Sequence, residues 1–162
     1  MVILGIDPGT ATTGYGLINN DNGNISLITY GCIKTPVNET RHIRLKYIYN
    51  DLLNLMEEYD PEVLVIEKLF FNKNIKTALS VGESRGIVLL AGAVKNLPVF
   101  EYTPLQVKYS LTGYGRADKN QIKELVKLTL KIEEKISSDD AADALAIALC
   151  HIAEQNISNG EK

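Results

Sequence analysis

Two apolar runs in this chain of 162 residues end on a carboxylate. Val2-Ile3-Leu4-Gly5-Ile6 stops at Asp7, ahead of Pro8-Gly9, and Val63-Leu64-Val65-Ile66 stops at Glu67. A carboxylate at the margin of an apolar core is costly unless a cation or hydrogen-bond donors compensate it. Each acid alone has an ordinary explanation: Asp7 as a turn former before Pro-Gly, Glu67 as an exposed strand end beside Lys68. A third segment, Asp139-Asp140-Ala141-Ala142-Asp143-Ala144-Leu145-Ala146, changes the balance. Asp140 and Asp143 share a helix face, where like charges repel by about 0.2–0.5 kcal/mol. Ser138, Asp139 and Asp140 suit the N-terminus of a helix, but Asp143 lies in the second turn among alanines, beyond the reach of that explanation. Four hard oxygen donors without sulfur or clustered histidine suit Mg²⁺ or Mn²⁺. Two such ions, about 3.5–4 Å apart, can clamp the attacking and leaving oxygens of a phosphodiester displacement.

The elements that would carry these acids follow from periodicity. Val2–Ile6 and Val63–Ile66 read as strands buried on both faces. Thr12–Asn19 and Ile25–Lys34 flank Asp21-Asn22-Gly23, a hairpin signal. Helical spacing marks 39–59, 74–96 and 119–136, and a last helix runs from near Ser138 to about Gln155. Pro98–Tyr102 reads as a short strand, Pro104 starts a short helix, and Gly113-Tyr114-Gly115 is a loop. Strands, a hairpin and then alternating helices and strands make an α/β protein with a mixed sheet. The expected organisation is a single domain over 1–155 with a loose tail over 156–162.

The segments Gly5-Ile6-Asp7-Pro8-Gly9, Ile66-Glu67-Lys68-Leu69-Phe70, Ala117-Asp118-Lys119 and Asp140-Ala141-Ala142-Asp143-Ala144-Leu145-Ala146 together resemble, in order, the RuvC family of Holliday-junction resolvases. The resemblance runs from about Val2 to His151. It implies a ribonuclease-H-like α/β fold, a five-stranded mixed sheet flanked by helices, with the acids converging at one end. It implies a crossover junction endodeoxyribonuclease that cuts four-way junction DNA in paired, symmetric fashion during recombination and repair, leaving 5′-phosphate and 3′-hydroxyl ends. Asp7, Glu67, Asp140 and Asp143 match the family's metal-binding catalytic positions, with Asp7 bridging two Mg²⁺ ions that Mn²⁺ can replace. Lys108 and Lys119 match its basic positions near the scissile phosphate. Phe70 matches the aromatic that stacks on a base, a role open to the adjacent Phe71 as well. A homodimer and a partnership with the RuvA–RuvB branch-migration complex are implied in the same way. The helix over 74–96, with Gly82 and Gly86, is the expected dimer contact, although those glycines could equally serve packing on the chain's own sheet.

Composition sets bounds on this reading. The net charge of -3 and pI near 5.4 hide a segregation. Residues 1–67 carry a net -5, residues 68–135 a net +6 and residues 136–162 a net -4. The basic middle could serve a polyanion or be a solvated surface, and composition alone does not choose between them. Lys119, Lys123, Lys127, Lys131 and Lys135 recur every fourth residue. Arg116, Lys119 and Lys123 are the expected phosphate contacts, and Lys131 and Lys135 a solvated face. Cys32 and Cys150 have no partners at zinc-ligand spacing, and a reduced cytoplasmic setting is expected. No segment reads as a signal peptide or a membrane span. His151 is expected to be a cation compensating the end of the last helix. Two rivals remain. Asp7-Pro8-Gly9-Thr10 also resembles the first phosphate loop of actin and sugar-kinase ATPases, which need two lobes. The chain could also be a non-catalytic junction-binding module with its acids acting as caps.

Overall fold

The computed structural model describes residues 1–68 and 75–160, with the side chains of 75–77, 159 and 160 outside the description. Phe70 and Phe71 therefore lie outside the described residues. The elements are β1 (Val2–Asp7), β2 (Thr12–Asp21), β3 (Asn24–Lys34), α1 (Arg41–Tyr59), β4 (Val63–Glu67), α2 (Ile75–Val94), β5 (Val99–Tyr102), α3 (Pro104–Thr112), α4 (Lys119–Leu130) and α5 (Asp139–Gly160). Five strands form one mixed sheet in the order β3-β2-β1-β4-β5. β1 runs antiparallel to β2 and parallel to β4, and β4 runs parallel to β5. The hairpin turns through Asn22 (φ 50) and Gly23 (φ 90), the left-handed pair that an Asn-Gly turn supplies at little steric cost.

Alternation along the strands sorts side chains between two cores. Leu4, Ile6, Leu64 and Ile66 point to one face, where Ile48, Leu52 and Met56 of α1 and Val88 and Ala91 of α2 cover them. Ile3, Val63 and Val65 point to the other, which α3, α4 and α5 cover with Val107, Ile122, Val126, Leu145 and Leu149. Asp7 and Glu67 keep the parity of Ile3, Gly5, Val63 and Val65, so both belong to the face under α5.

How close α5 lies is set by small residues. A Cβ at Gly5 would run into the carbonyl oxygen of Ala144, and one at Gly14 into that of Asp140. Ala141, Ala142, Ala144, Ala146 and Ala148 are all buried. A helix buried all round reads as apolar all round, which is why α5 shows no polar stripe through 144–150.

Three expectations need correction. The helix expected over 119–136 ends at Leu130. Lys131 adopts a left-handed conformation (φ 54), and the Lys131 and Ile132 amides donate to Leu128 and Lys127 carbonyls, a Schellman closure that folds Ile132 back onto the core. Lys135 is thus not on that helix. The last helix continues through 156–160, where a loose tail was expected. His151, consequently, stands far from the helix end and is fully buried. Tyr102 Oη lies 2.8 Å from its Nδ1, Gln155 Nε2 lies 3.0 Å from its Nε2, and the Phe100 ring packs at 4.4 Å. Burial lowers its pKa and raises that of Tyr102 to about 12, so the phenol keeps its proton and the imidazole stays neutral between its two partners. His151 is a satisfied core residue, not a cation.

Because the glycine contact leaves no room for bulk, Gly5→Ala is expected to cost about 1–3 kcal/mol, the range for overpacking. Thermal unfolding followed by circular dichroism checks this as a melting temperature lowered by several degrees.

Candidate active site

The acids gather because three chain segments end at one edge of the sheet. β1 and β4 are parallel, so Asp7 and Glu67 terminate together. α5 begins over the same edge, where Gly14 of β2 admits its first turn. Ser138 caps that helix, its Oγ accepting the Ala141 amide at 3.5 Å. The Cys32 thiol donates to the same oxygen at 2.9 Å and ties the cap to β3. Capping by Ser138 leaves Asp140 free of that duty.

Electrostatics record how close the acids are. Burial pushes the Asp7 carboxyl up to about 7, reinforced by Asp143, Glu67 and Asp140 and eased by Lys119. Burial also raises Glu67, again with Asp143 adding and Lys119 opposing. Among the described residues, no three of these side chains are close enough to cage one ion. What the structure shows is longer-range mutual repulsion, with a lysine as the local counter-charge. Lys119 Nζ donates to Asp143 Oδ2 at 3.2 Å, and Asp143 holds the ammonium pKa above its ordinary value. Four carboxylates with no sulfur or histidine among them make a hard oxygen donor set, and a divalent cation would offset the repulsion felt by Asp7 and Glu67, so the residues present fit one.

The basic residues divide. Lys108 and Lys119 line, with Glu67 and Asp143, a cavity of about 210 Å³ whose floor is Val107, Ile122 and Ile147. Asp118 caps α4 through a reciprocal box with Gln121, which fixes Lys119 at the first position of that helix. Lys119 is 73% exposed. Lys123 is only 18% exposed and donates to Asp139 Oδ1 at 2.8 Å, so it joins α4 to α5 instead of reaching into solvent. Arg116 is exposed on the loop before α4. Lys123–Asp139 pairing was not legible in sequence, since nothing local links residues on two different helices. The apolar cavity floor was equally hidden, being indistinguishable from core in a helical pattern.

Residues 3–151 match the family model described as crossover junction endodeoxyribonuclease RuvC. The chain belongs to the RuvC family. RuvC of Desulforamulus reducens is 52% identical over 151 residues, covering 93% of both chains. That of Halothermothrix orenii is 50% identical, covering 93% of this chain and 92% of the other. Thermus thermophilus RuvC, solved in complex with a Holliday junction substrate, superposes with a TM-score of 0.92 at 33% identity, covering 98% and 96% of the two chains. The yeast mitochondrial Holliday junction resolvase shares the fold, with a TM-score of 0.70 at 19% identity. The ribonuclease-H-like architecture expected of a RuvC chain is therefore present, and a one-lobe ATPase is not needed to explain the Asp-Pro-Gly-Thr loop. No helix among the described residues is long and apolar enough to cross a membrane.

The Asp7 shift carries a sign that can be checked without metal. Its folded pKa of about 7 lies above the ordinary 3.8. Between those values the folded state binds the extra proton, so its stability falls as pH rises through that window. In EDTA, Asp7→Asn is expected to melt several degrees above wild type at about pH 8 and level with it near pH 4. A gain equal at both pH values would assign the effect to packing.

Proposed function

We propose that this chain is a divalent-metal-dependent endonuclease that cuts four-way junction DNA as a homodimer. The observation that carries it is the meeting of Asp7, Glu67, Asp140 and Asp143 at one sheet edge, with Lys119 in contact with Asp143. Asp7, Glu67, Asp140 and Asp143 would hold the divalent ions, two Mg²⁺ by family resemblance, and Mn²⁺ has the same donor preference. Bound ions supply Lewis acidity to the phosphate and an activated water at neutral pH. The remaining work falls to the chain itself. Lys119, released from Asp143, and Lys108 across the cavity stabilise charge on the phosphate oxygens. The apolar floor between them excludes water from that side. Phe70 or Phe71 would stack on a base beside the cut, and Arg116 would meet the backbone.

The dimer is supported by α2. Gly92 packs on its own sheet, where a Cβ would come within 2.7 Å of Leu64. Gly82 and Gly86 do not, since a Cβ at either meets nothing within 4 Å. They lie open in a stripe with Leu79 and Leu90, 61% and 51% exposed. An apolar stripe with its small residues facing outward suits a second copy about a two-fold axis, and two copies provide the two cuts. A partnership with the RuvA–RuvB complex accords with family membership.

Asp7→Asn is expected to lower cleavage of a synthetic four-way junction by at least about 10²–10³-fold while binding persists. Gel assays with Mg²⁺, Mn²⁺ or EDTA read this, and cleavage in EDTA would refute the metal. Sedimentation at micromolar concentration should give a species of twice the 17.9 kDa chain mass. Gly86→Arg should reduce it to a monomer that keeps the circular dichroism spectrum of the folded chain.

A further inference from the structure

The acids are approached from one side by Lys108 and Lys119, but the opposite side of the same sheet edge also carries a cleft. α1 and α2 both begin at that edge, because β3 and β4 run parallel to β1 and the helices follow them. Between their first turns and the loop after Asp7 lies a cavity of about 430 Å³ lined by Thr10, Glu39, Arg41, Arg44, Leu79 and Ser80.

Arg44 is fixed there. Its Nε donates to Thr35 Oγ1 at 2.7 Å, and its Nη2 to the Thr10 carbonyl at 3.4 Å. Thr35 itself is buried and donates to that same carbonyl at 2.7 Å. Two anchors use only part of a guanidinium with five donors. Among the described residues no carboxylate forms an ion pair with Arg44, whereas Arg41 is engaged by Glu83. Beside it Thr10 Oγ1 donates to the Ser80 carbonyl at 2.9 Å and lies 2.6 Å from Ser80 Oγ and 2.8 Å from the fully buried Ser84 Oγ, a hydroxyl cluster that fixes the loop after Asp7 against α2. A guanidinium held half-buried, unneutralised and anchored on Thr10, three residues beyond Asp7, is arranged for a tetrahedral oxyanion.

We propose that Arg44, with Thr10 and Ser80, binds a backbone phosphate of the cleaved DNA strand on the α1–α2 side of the acids. The strand would then be held on both flanks of the cut, by Lys108 and Lys119 on one and by Arg44 on the other. Glu39, exposed and lining the same cleft, opposes the phosphate and weakens this grip. The proposal rests on junction binding as read above, and the two fail differently.

The test is junction affinity in EDTA, by fluorescence anisotropy between 50 and 200 mM salt, for wild type, Arg44→Gln, Arg44→Lys and Glu39→Gln. Loss of one phosphate contact lowers the slope of log affinity against log salt by about 0.9. Arg44→Gln should bind about tenfold more weakly at 50 mM, a defect shrinking to about threefold at 200 mM because of that slope. Arg44→Lys should keep the wild-type slope with intermediate affinity. Glu39→Gln, which leaves both anchors of Arg44 in place, should bind more tightly. An Arg44→Gln slope equal to wild type would make Arg44 a structural tie and overturn the proposal. If Arg44→Gln fails to fold, an unchanged affinity for Glu39→Gln overturns it instead. A wild type that does not bind the junction removes the junction reading and this one together.

Discussion

The seating of α5 on β1 and β2 is the constraint from which the active edge follows. A helix comes this close to a sheet only where neither surface carries bulk, and here Gly5 and Gly14 face the backbone of Ala144 and Asp140. That approach brings Asp140 and Asp143 over the ends of two strands that already finish on carboxylates. Were α5 displaced outward by a side chain's width, the acids would be solvated separately. Asp7 would then lose the burial that raises it to about 7.

Charge placed so against its own kind is unfavourable for folding, and the rest of the structure compensates it. Ser138 provides the helix cap, so that no acid has to. Lys123 holds Asp139, and Lys119 meets Asp143 from the first turn of a helix that Asp118 and Gln121 lock in place. On the far side of α5, the Tyr102–His151 hydrogen bond joins the edge strand to the helix. Tyr102 is also paired with Glu67 across β4 and β5, so this bond steadies the strand end that carries the second acid. The buried Tyr102–His151 pair fixes one arrangement instead of merely adding stability.

The distribution of charge along the chain takes on meaning in the same frame. The acidic first and last thirds supply the four carboxylates. The basic middle third supplies Lys108 and Lys119, which line the cavity beside Glu67 and Asp143. A net charge of -3 is compatible with a nucleic-acid surface because the local field, not the total, acts on a polyanion.

The sequence by itself determined a good deal. Apolar runs ending on Asp7 and Glu67, the Asn-Gly hairpin, and Asp143 stranded among alanines carry their own physical logic; with the motif order they specified family and architecture, and they singled out acids that the fold gathers at one sheet edge. Helix ends were less legible. The left-handed turn at Lys131 uses no glycine, and the stretch 156–160 stays helical although its residues are weak helix formers. Long-range pairing was not legible at all. His151 in an apolar helix looks like a terminal cation until the helix is seen to run on and Tyr102 to meet it. Lys123 looks like one member of a basic stripe until Asp139 is found beside it. Strands apolar on both faces give no sign of which face takes α5, and so of which side the acids point to. Arg44, Thr10 and Ser80 are separated by up to seventy residues. Only the closing of the sheet edge brings such groups together, because a side chain's chemistry is local while its partners are chosen by the path of the whole chain.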